Sequence, residues 1–205
     1  MISIVEKLIK TFGSEAVLTA EEAAMRVASN WRQHENLRCL ALLRPKNTQQ
    51  VSQMLKICNE FNQPVVPHGG LTNVVGGVVT NENEIALSLE QMNRVEEISV
   101  QNKTVTVQAG VVLQQLQKIV SENGMLFPLD LGAKGSCMIG GNIASNAGGL
   151  HALRYGVARN LVLGLEVVLA DGTIISSMNK MMKNNAGYDL KQLFIGSEGT
   201  LGIIT

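Results

Sequence analysis

Two glycine-rich stretches carry the residues best suited to chemistry in this chain. The first, "VVPHGGLTNVVGG", covers residues 65 to 77. An apolar run ends at Pro67, Gly69 and Gly70 follow, and Thr72 and Asn73 add short polar side chains. Consecutive backbone amides in such a turn form a concave nest for anionic oxygens. The loop contains neither Lys nor Arg, so a bound phosphate would be held mainly by backbone dipoles. It is neither a GxGxxG nor a GK[ST] pattern, and taken alone it is equally a simple hairpin connection. The second stretch, "FPLDLGAKGSCMIGGNIASNAGGLHALRYG", covers residues 127 to 156. Its core "IGGNIASNAGG" combines two Gly-Gly steps with Asn142, Ser145 and Asn146. Such side chains can hydrogen-bond a flat heteroaromatic ring or a sugar chain. A connector of that length without structure of its own is uncommon in a compact domain unless it is functional.

The elements that must hold these loops follow from pattern. Residues 1 to 35 read as a helical N-terminal segment closing in the polar "NWRQHENLR". "CLALLRP" reads as a strand. "NTQQVSQMLKICNEFN" reads as a helix capped by Asn47 or Thr48, with Val51, Leu55, Ile57 and Cys58 on its apolar face. "QPVVPHGG" is a second strand running into the first loop, so the unit is βαβ-like. "EIALSL" is a further strand. "RVEEISVQNKTVTVQAG" is a hairpin turning at "QNK", and "VVLQQLQKIVSENG" is a helix stopped by Gly124. "LVLGLEVVLADGTIISS" is a hairpin turning at Asp171-Gly172. "GYDLKQLFIGSEGTLGIIT" gives a short helix, a glycine turn and an apolar strand without a visible partner. That unpartnered strand leads us to expect the N-terminal part of a longer protein. The division falls near residue 92: an α/β lobe over 36–92 and a larger lobe over 93–205.

Composition excludes several classes. The 205 residues carry 17 Lys+Arg against 17 Asp+Glu, so no basic surface is available for nucleic acid. Aromatic residues make up 3%, too few for single-strand stacking platforms. No apolar run suits a membrane span, so the protein is not expected to be an integral membrane protein. Cys39, Cys58 and Cys137 show no CxxC spacing, and no His/Cys cluster suggests a metal. With no secretion or transit signal in the first residues, the expected location is cytoplasmic.

Taken together, "VVPHGGLTNVVGG", "PLDLGAKGSCMIGGNIASNAGGL", "LRYG", "LGLEVVLADGT" and "GYDLKQLFIGSEGTLGIIT" resemble the FAD-binding half of the D-2-hydroxyglutarate dehydrogenases. These belong to the FAD-linked oxidases, with D-lactate dehydrogenase and the glycolate oxidase catalytic subunit. The resemblance runs from about residue 40 to the end. It implies an α+β fold of the two-lobed FAD-binding (PCMH-like) type, with non-covalent FAD between a small α/β lobe and a larger antiparallel sheet flanked by helices. It also implies a set of cofactor-binding residues. Pro67, His68, Gly69, Gly70, Leu71, Thr72 and Asn73 would wrap the pyrophosphate through backbone amides, and Gly76 and Gly77 would finish the turn. Pro128, Asp130, Gly132, Ala133 and Ser136 would line the flavin and its linker. Ile139, Gly140, Gly141, Asn142, Ser145 and Asn146 would approach the ribityl chain and ring. Gly199 and Ile203 would stand near the adenine.

This sequence departs from the family at two of these positions. His68 stands where Arg or Gln is common, and Asn73 stands where Gly is common, though Asn tolerates left-handed backbone. His34 and His151 are read as structural or surface residues. The implied reaction is oxidation of a D-2-hydroxy acid, D-2-hydroxyglutarate first, to the 2-oxo acid. Electrons would pass on to a flavoprotein or quinone. The family's substrate-binding residues, catalytic histidine and metal ligands lie C-terminal to this region, so no catalytic or metal residue is assigned. The alternatives are a D-lactate or glycolate dehydrogenase, an FAD-binding subunit completed by another chain, or a silent relative without flavin.

Overall fold

The computed structural model describes residues 2–30 and 33–205, with the side chains of 28–34 excepted; the side chain of His34 thus lies outside the described residues. Helix α1 (Ile4–Phe12) opens with Ser3 and Glu6 in a reciprocal capping box and ends at Gly13, φ +83°. Strand β1 (Val17–Thr19), the one-turn α2 (Ala20–Ala23) and the hairpin β2 (Val27–Asn30) and β3 (Gln33–Asn36) follow. Helix was expected as far as residue 35; among the described residues of that span beyond α1 only the one turn of α2 is helical, so that expectation is corrected. β1 is too short to show a period of its own, and its partner β4 (Ala41–Leu43) fixes it by antiparallel pairing of Val17 with Leu43.

Helix α3 (Thr48–Glu60) is capped by Asn47, whose side chain accepts from the Gln50 amide, and it buries Val51, Met54, Leu55, Ile57 and Cys58. Strands β5 (Val65–His68) and β6 (Ile85–Ser88) complete a sheet of order β1-β4-β6-β5, in which β4, β6 and β5 run parallel. Every residue of β6 is buried, as expected of a central strand covered on both faces. Glu90, just beyond β6, receives both Arg26 and Arg44. Burial raises its pKa, but the two guanidinium groups outweigh that and hold the carboxylate below its ordinary value.

The second half begins with the hairpin β7 (Val95–Ser99) and β8 (Thr104–Val107), with Lys103 left-handed in the turn. Helices α4 (Leu113–Glu122), α5 (Ile139–Ala144), α6 (Ala152–Tyr155) and α7 (Ala158–Leu161) lead to β9 (Leu165–Val168) and β10 (Ile174–Ser177). Helix α8 (Lys191–Phe194) precedes β11 (Ile203–Ile204). The last strand, expected to stand alone, pairs antiparallel with β9, giving a sheet of order β10-β9-β11.

One buried cluster runs from Ile4 and Leu8 through α3, β4 and β6 to Leu165, Val167, Ile203 and Ile204. A second gathers Val111, Leu113, Leu116 and Val120 with Leu129, Cys137 and Ile139. Ile143 of α5 packs against both, so α5 sits where the two cores meet. That position gives the middle of the second glycine stretch a rigid seat.

A candidate cofactor site at two glycine loops

Three segments converge around α5. The first is the loop leaving β5. A Cβ on Gly70 would stand 2.1 Å from Ser136 O and 2.9 Å from Cys137 Cα, so this backbone lies directly on the second stretch. Gly69 is also close: a Cβ there would lie 3.7 Å from Gly141 Cα and 3.9 Å from Met138 Cβ. Leu71 is left-handed at φ 55°, an uncommon state for a leucine and one that clusters at ligand-binding backbone. Farther along, Asn73 Oδ1 accepts from the Val75 and Gly77 amides, so Asn73 braces the loop from inside. Gly76 is left-handed, and Gly77 faces Glu198 Oε2 at 4.0 Å from its notional Cβ.

The second segment is α5. Isolated, Ile-Gly-Gly-Asn would not form a helix, because each glycine costs about 1 kcal/mol relative to alanine. Tertiary bonds compensate: the Ile139 amide donates to Val111 O and the Gly140 amide to Ala109 O. Gly140 is fixed by packing, since a Cβ there would strike Ala109 Cβ at 2.6 Å. Gly141 differs. Its notional Cβ meets nothing within 4 Å. Ser145 donates back to Gly141 O, and left-handed Asn146 accepts the Arg159 amide through Oδ1.

The third segment, 195–199, was only partly anticipated. The Gly196 amide donates to Ile143 O and the Glu198 amide to Ala144 O, capping the end of α5. Glu198 is left-handed, and Gly199 presses on Pro67, whose Cγ lies 2.5 Å from its notional Cβ. Arg159 ties the segment down through the carbonyls of Gln192 and Ile195. Glu198 and Arg159 are the site residues that pattern reading missed. The one signal available was a lone Arg in the otherwise uncharged "GVARNLV".

The remaining expected residues form the surroundings. Ala133 O accepts from the Ser136 and Cys137 amides, which sets the turn under Gly70. Asp130 is paired with Lys134 at 2.8 Å, and that ammonium holds its carboxyl below the ordinary range. Pro128 O meets the ring of His151 at 3.1 Å, and nothing lies within 4 Å of a Cβ on Gly132. Ile203 lies in β11 with its side chain in the core. Asn142 is 4% exposed, and its Nδ2 has no partner. It lines a cavity of about 490 Å³ with Val107, Ile143 and Glu166, whose walls include neither the 69–77 loop nor Gly141. The cavity therefore shares α5 with the place where the loops meet but not the 69–77 loop. Among the described residues there is no helix long and apolar enough to cross a membrane and no His/Cys/Asp/Glu group that could hold a metal.

The site suits an anionic cofactor. Gly69 and Gly141 bring bare backbone together where the two loops meet, and no basic residue is needed within the loop. The family described as FAD binding domain matches residues 39–177. The chain belongs to that family. FAD is its cofactor, and the α+β fold read from the sequence stands.

Relatives of this FAD-binding chain include the mitochondrial D-2-hydroxyglutarate dehydrogenase of Bos taurus. It is 56% identical over 164 residues, which are 80% of this chain and 30% of that protein. The mitochondrial D-2-hydroxyglutarate dehydrogenase of Arabidopsis thaliana is 42% identical over 193 residues, 94% of this chain and 34% of that protein. The chain thus spans about a third of the length of these relatives. Among solved structures, an alkyldihydroxyacetonephosphate synthase superposes with a TM-score of 0.84 at 21% identity, covering 98% of this chain and 42% of that one. At that identity the likeness speaks for the fold alone.

The cytoplasmic expectation is corrected by these comparisons, because both dehydrogenases are named as mitochondrial. The cysteines could not have decided the matter. All three are buried, and burial raises the Cys58 thiol to about 12, so they resist oxidation wherever the chain resides.

His68 gives the site a pH dependence. Its ring is 2% exposed and burial lowers its pKa to about 4, with Nε2 2.9 Å from Val78 O. The folded state therefore keeps it neutral where the unfolded chain, near 6.5, takes up a proton. Stability attributable to this residue is complete above pH 6.5 and is lost as pH falls toward 4, by about 3 kcal/mol in all. Melting temperatures of the wild type and His68→Gln, measured between pH 7.5 and 4.5, should converge or cross as pH falls. Parallel curves would show that His68 does not titrate this way.

Proposed function

We propose that this chain is the FAD-holding part of a dehydrogenase that oxidises a D-2-hydroxy acid, D-2-hydroxyglutarate first among them, to the 2-oxo acid. The observation that carries the reading is the meeting of bare backbone at Gly69 and Gly141, braced by the 195–199 segment. Identity of 56% to the Bos taurus dehydrogenase supports the substrate class. FAD supplies the hydride acceptor for the hydroxyl-bearing carbon.

The chain's own residues bind and orient. Gly69 to Asn73 offer amides to the pyrophosphate, with Gly76 and Gly77 closing the turn. Pro128 to Ser136 form the wall beside the ring. Gly141, Ser145 and Asn146 meet the ribityl chain, and Gly199 keeps the adenine side in register with Pro67. FAD is held non-covalently, since the His68 ring is buried and already bonded to Val78 O. Electrons leave to a flavoprotein or quinone. In this reading the division near residue 92 separates two lobes that contribute one loop each.

The test has two stages. The purified chain, mixed with FAD and freed of excess, should keep flavin absorbance while circular dichroism reports a folded protein. The longer protein should then oxidise D-2-hydroxyglutarate in preference to D-lactate and glycolate. A folded chain that never retains flavin would sink the cofactor placement. A preference for D-lactate or glycolate would sink the substrate assignment alone.

A further inference from the structure

The excursion from β5 into the first loop and back is held at few points. Gly70 nails its outgoing arm to Ser136 and Cys137. Asn73 braces its middle through the Val75 and Gly77 amides. The returning arm is anchored at its far end, where Thr80 Oγ1 donates to Arg38 O, but has little of its own before that. Val74, Val75, Gly76 and Gly77 are exposed, and a Cβ on Gly76 would touch only Val79 Cγ2, at 3.9 Å. What ties this arm to the strand that launched it is the ring of His68, whose Nε2 lies 2.9 Å from Val78 O, ten residues on. A carbonyl is an acceptor only, so Nε2 carries the hydrogen and donates. The ring is 2% exposed, and the backbone carbonyl of His68 is engaged by the Leu89 amide. An imidazole enclosed in this way needs its partner, because a buried polar group without one is costly.

We propose that the His68 imidazole is a positioning residue of the cofactor site, a clasp whose bond to Val78 O closes the 69–77 loop and sets the curvature in which its amides meet a diphosphate. The proposal rests on the reading that this loop holds the pyrophosphate of FAD. His68 itself touches no ligand through its side chain and acts through the backbone it closes. Without the clasp the returning arm samples many conformations, and binding must first order it. Affinity is then reduced by the fraction of loops that are closed.

Two substitutions of similar bulk separate clasp from filler. His68→Leu keeps an apolar side chain in the enclosed space and deletes the donor. His68→Gln keeps an N–H within reach of Val78 O. Hydrogen exchange of the Gly76–Val79 amides in the flavin-free chain and the FAD dissociation constant are both measured for each. Leu should speed that exchange and weaken FAD about tenfold, the equivalent of 1.4 kcal/mol, while Gln restores most of both. Wild-type exchange and affinity in His68→Leu would overturn the clasp. So would a folded His68→Gln as impaired as His68→Leu, since the ring would then serve by its shape alone. If the wild type binds no FAD, the exchange measurements still judge the clasp and only the cofactor reading falls.

Discussion

Gly141→Val is expected to leave the chain folded and unable to retain FAD. The two halves of that result come from one observation, the empty space around a notional Cβ at this position. No neighbouring segment lies within 4 Å of the new Cβ, and valine suits a helix somewhat better than glycine does. The melting temperature should therefore stay within roughly 2 °C of wild type, since about 1 kcal/mol moves a chain of this size by roughly 2–4 °C. The branched side chain would instead occupy the open space beside the bare backbone where the two loops meet. FAD affinity should fall by at least about 100-fold, some 2.7 kcal/mol. Fluorescence titration of flavin against the folded variant checks it. Unchanged affinity would move the cofactor off this wall of α5, and the second glycine stretch would lose its assigned role.

How much of this was legible beforehand depends on the range of the forces involved. The helix over Thr48–Glu60 and its Asn47 cap, the two hairpins and the Gly124 stop are local devices, and the sequence displays them openly. Close approach at the glycine clusters was also readable, and Gly70, Gly140 and Gly199 do lie hard against their neighbours. What could not be read was set by partners distant in the chain. "IGGNIA" looks like loop because two glycines oppose helix, yet amide bonds to Val111 O and Ala109 O make it one. "VLT" becomes a strand only because β4 lies beside it, and β11 because β9 does. Within the site, Gly140 and Gly141 are indistinguishable by sequence. One is small because Ala109 fills the space, the other faces open space. The same contrast separates Gly199, pressed on Pro67, from Gly132.

Gly70→Ala is the second large effect, and it should fail in a different way from Gly141→Val. A methyl group at Gly70 would stand 2.1 Å from Ser136 O and 2.9 Å from Cys137 Cα, both backbone atoms that cannot rotate aside. The neighbouring turn cannot retreat easily either. Ser136 and Cys137 donate their amides to Ala133 O, and Cys137 O accepts from Leu113 at the start of α4. The strain must be relieved by lifting the 69–77 loop from the second stretch. That costs stability even when no flavin is present, on the order of 3 kcal/mol by the scale of overpacked interiors. Thermal denaturation of the flavin-free chain should show a fall of roughly 6–12 °C. FAD binding should be lost as well, because the amides of Gly69 to Asn73 no longer lie beside Gly141. Comparing the two variants therefore tests the architecture of the site as well as its occupant. Gly141→Val interrogates the space left for a ligand, and Gly70→Ala interrogates the contact that creates that space. A stable Gly70→Ala that still bound FAD would mean that the two glycine loops need not touch to form the site.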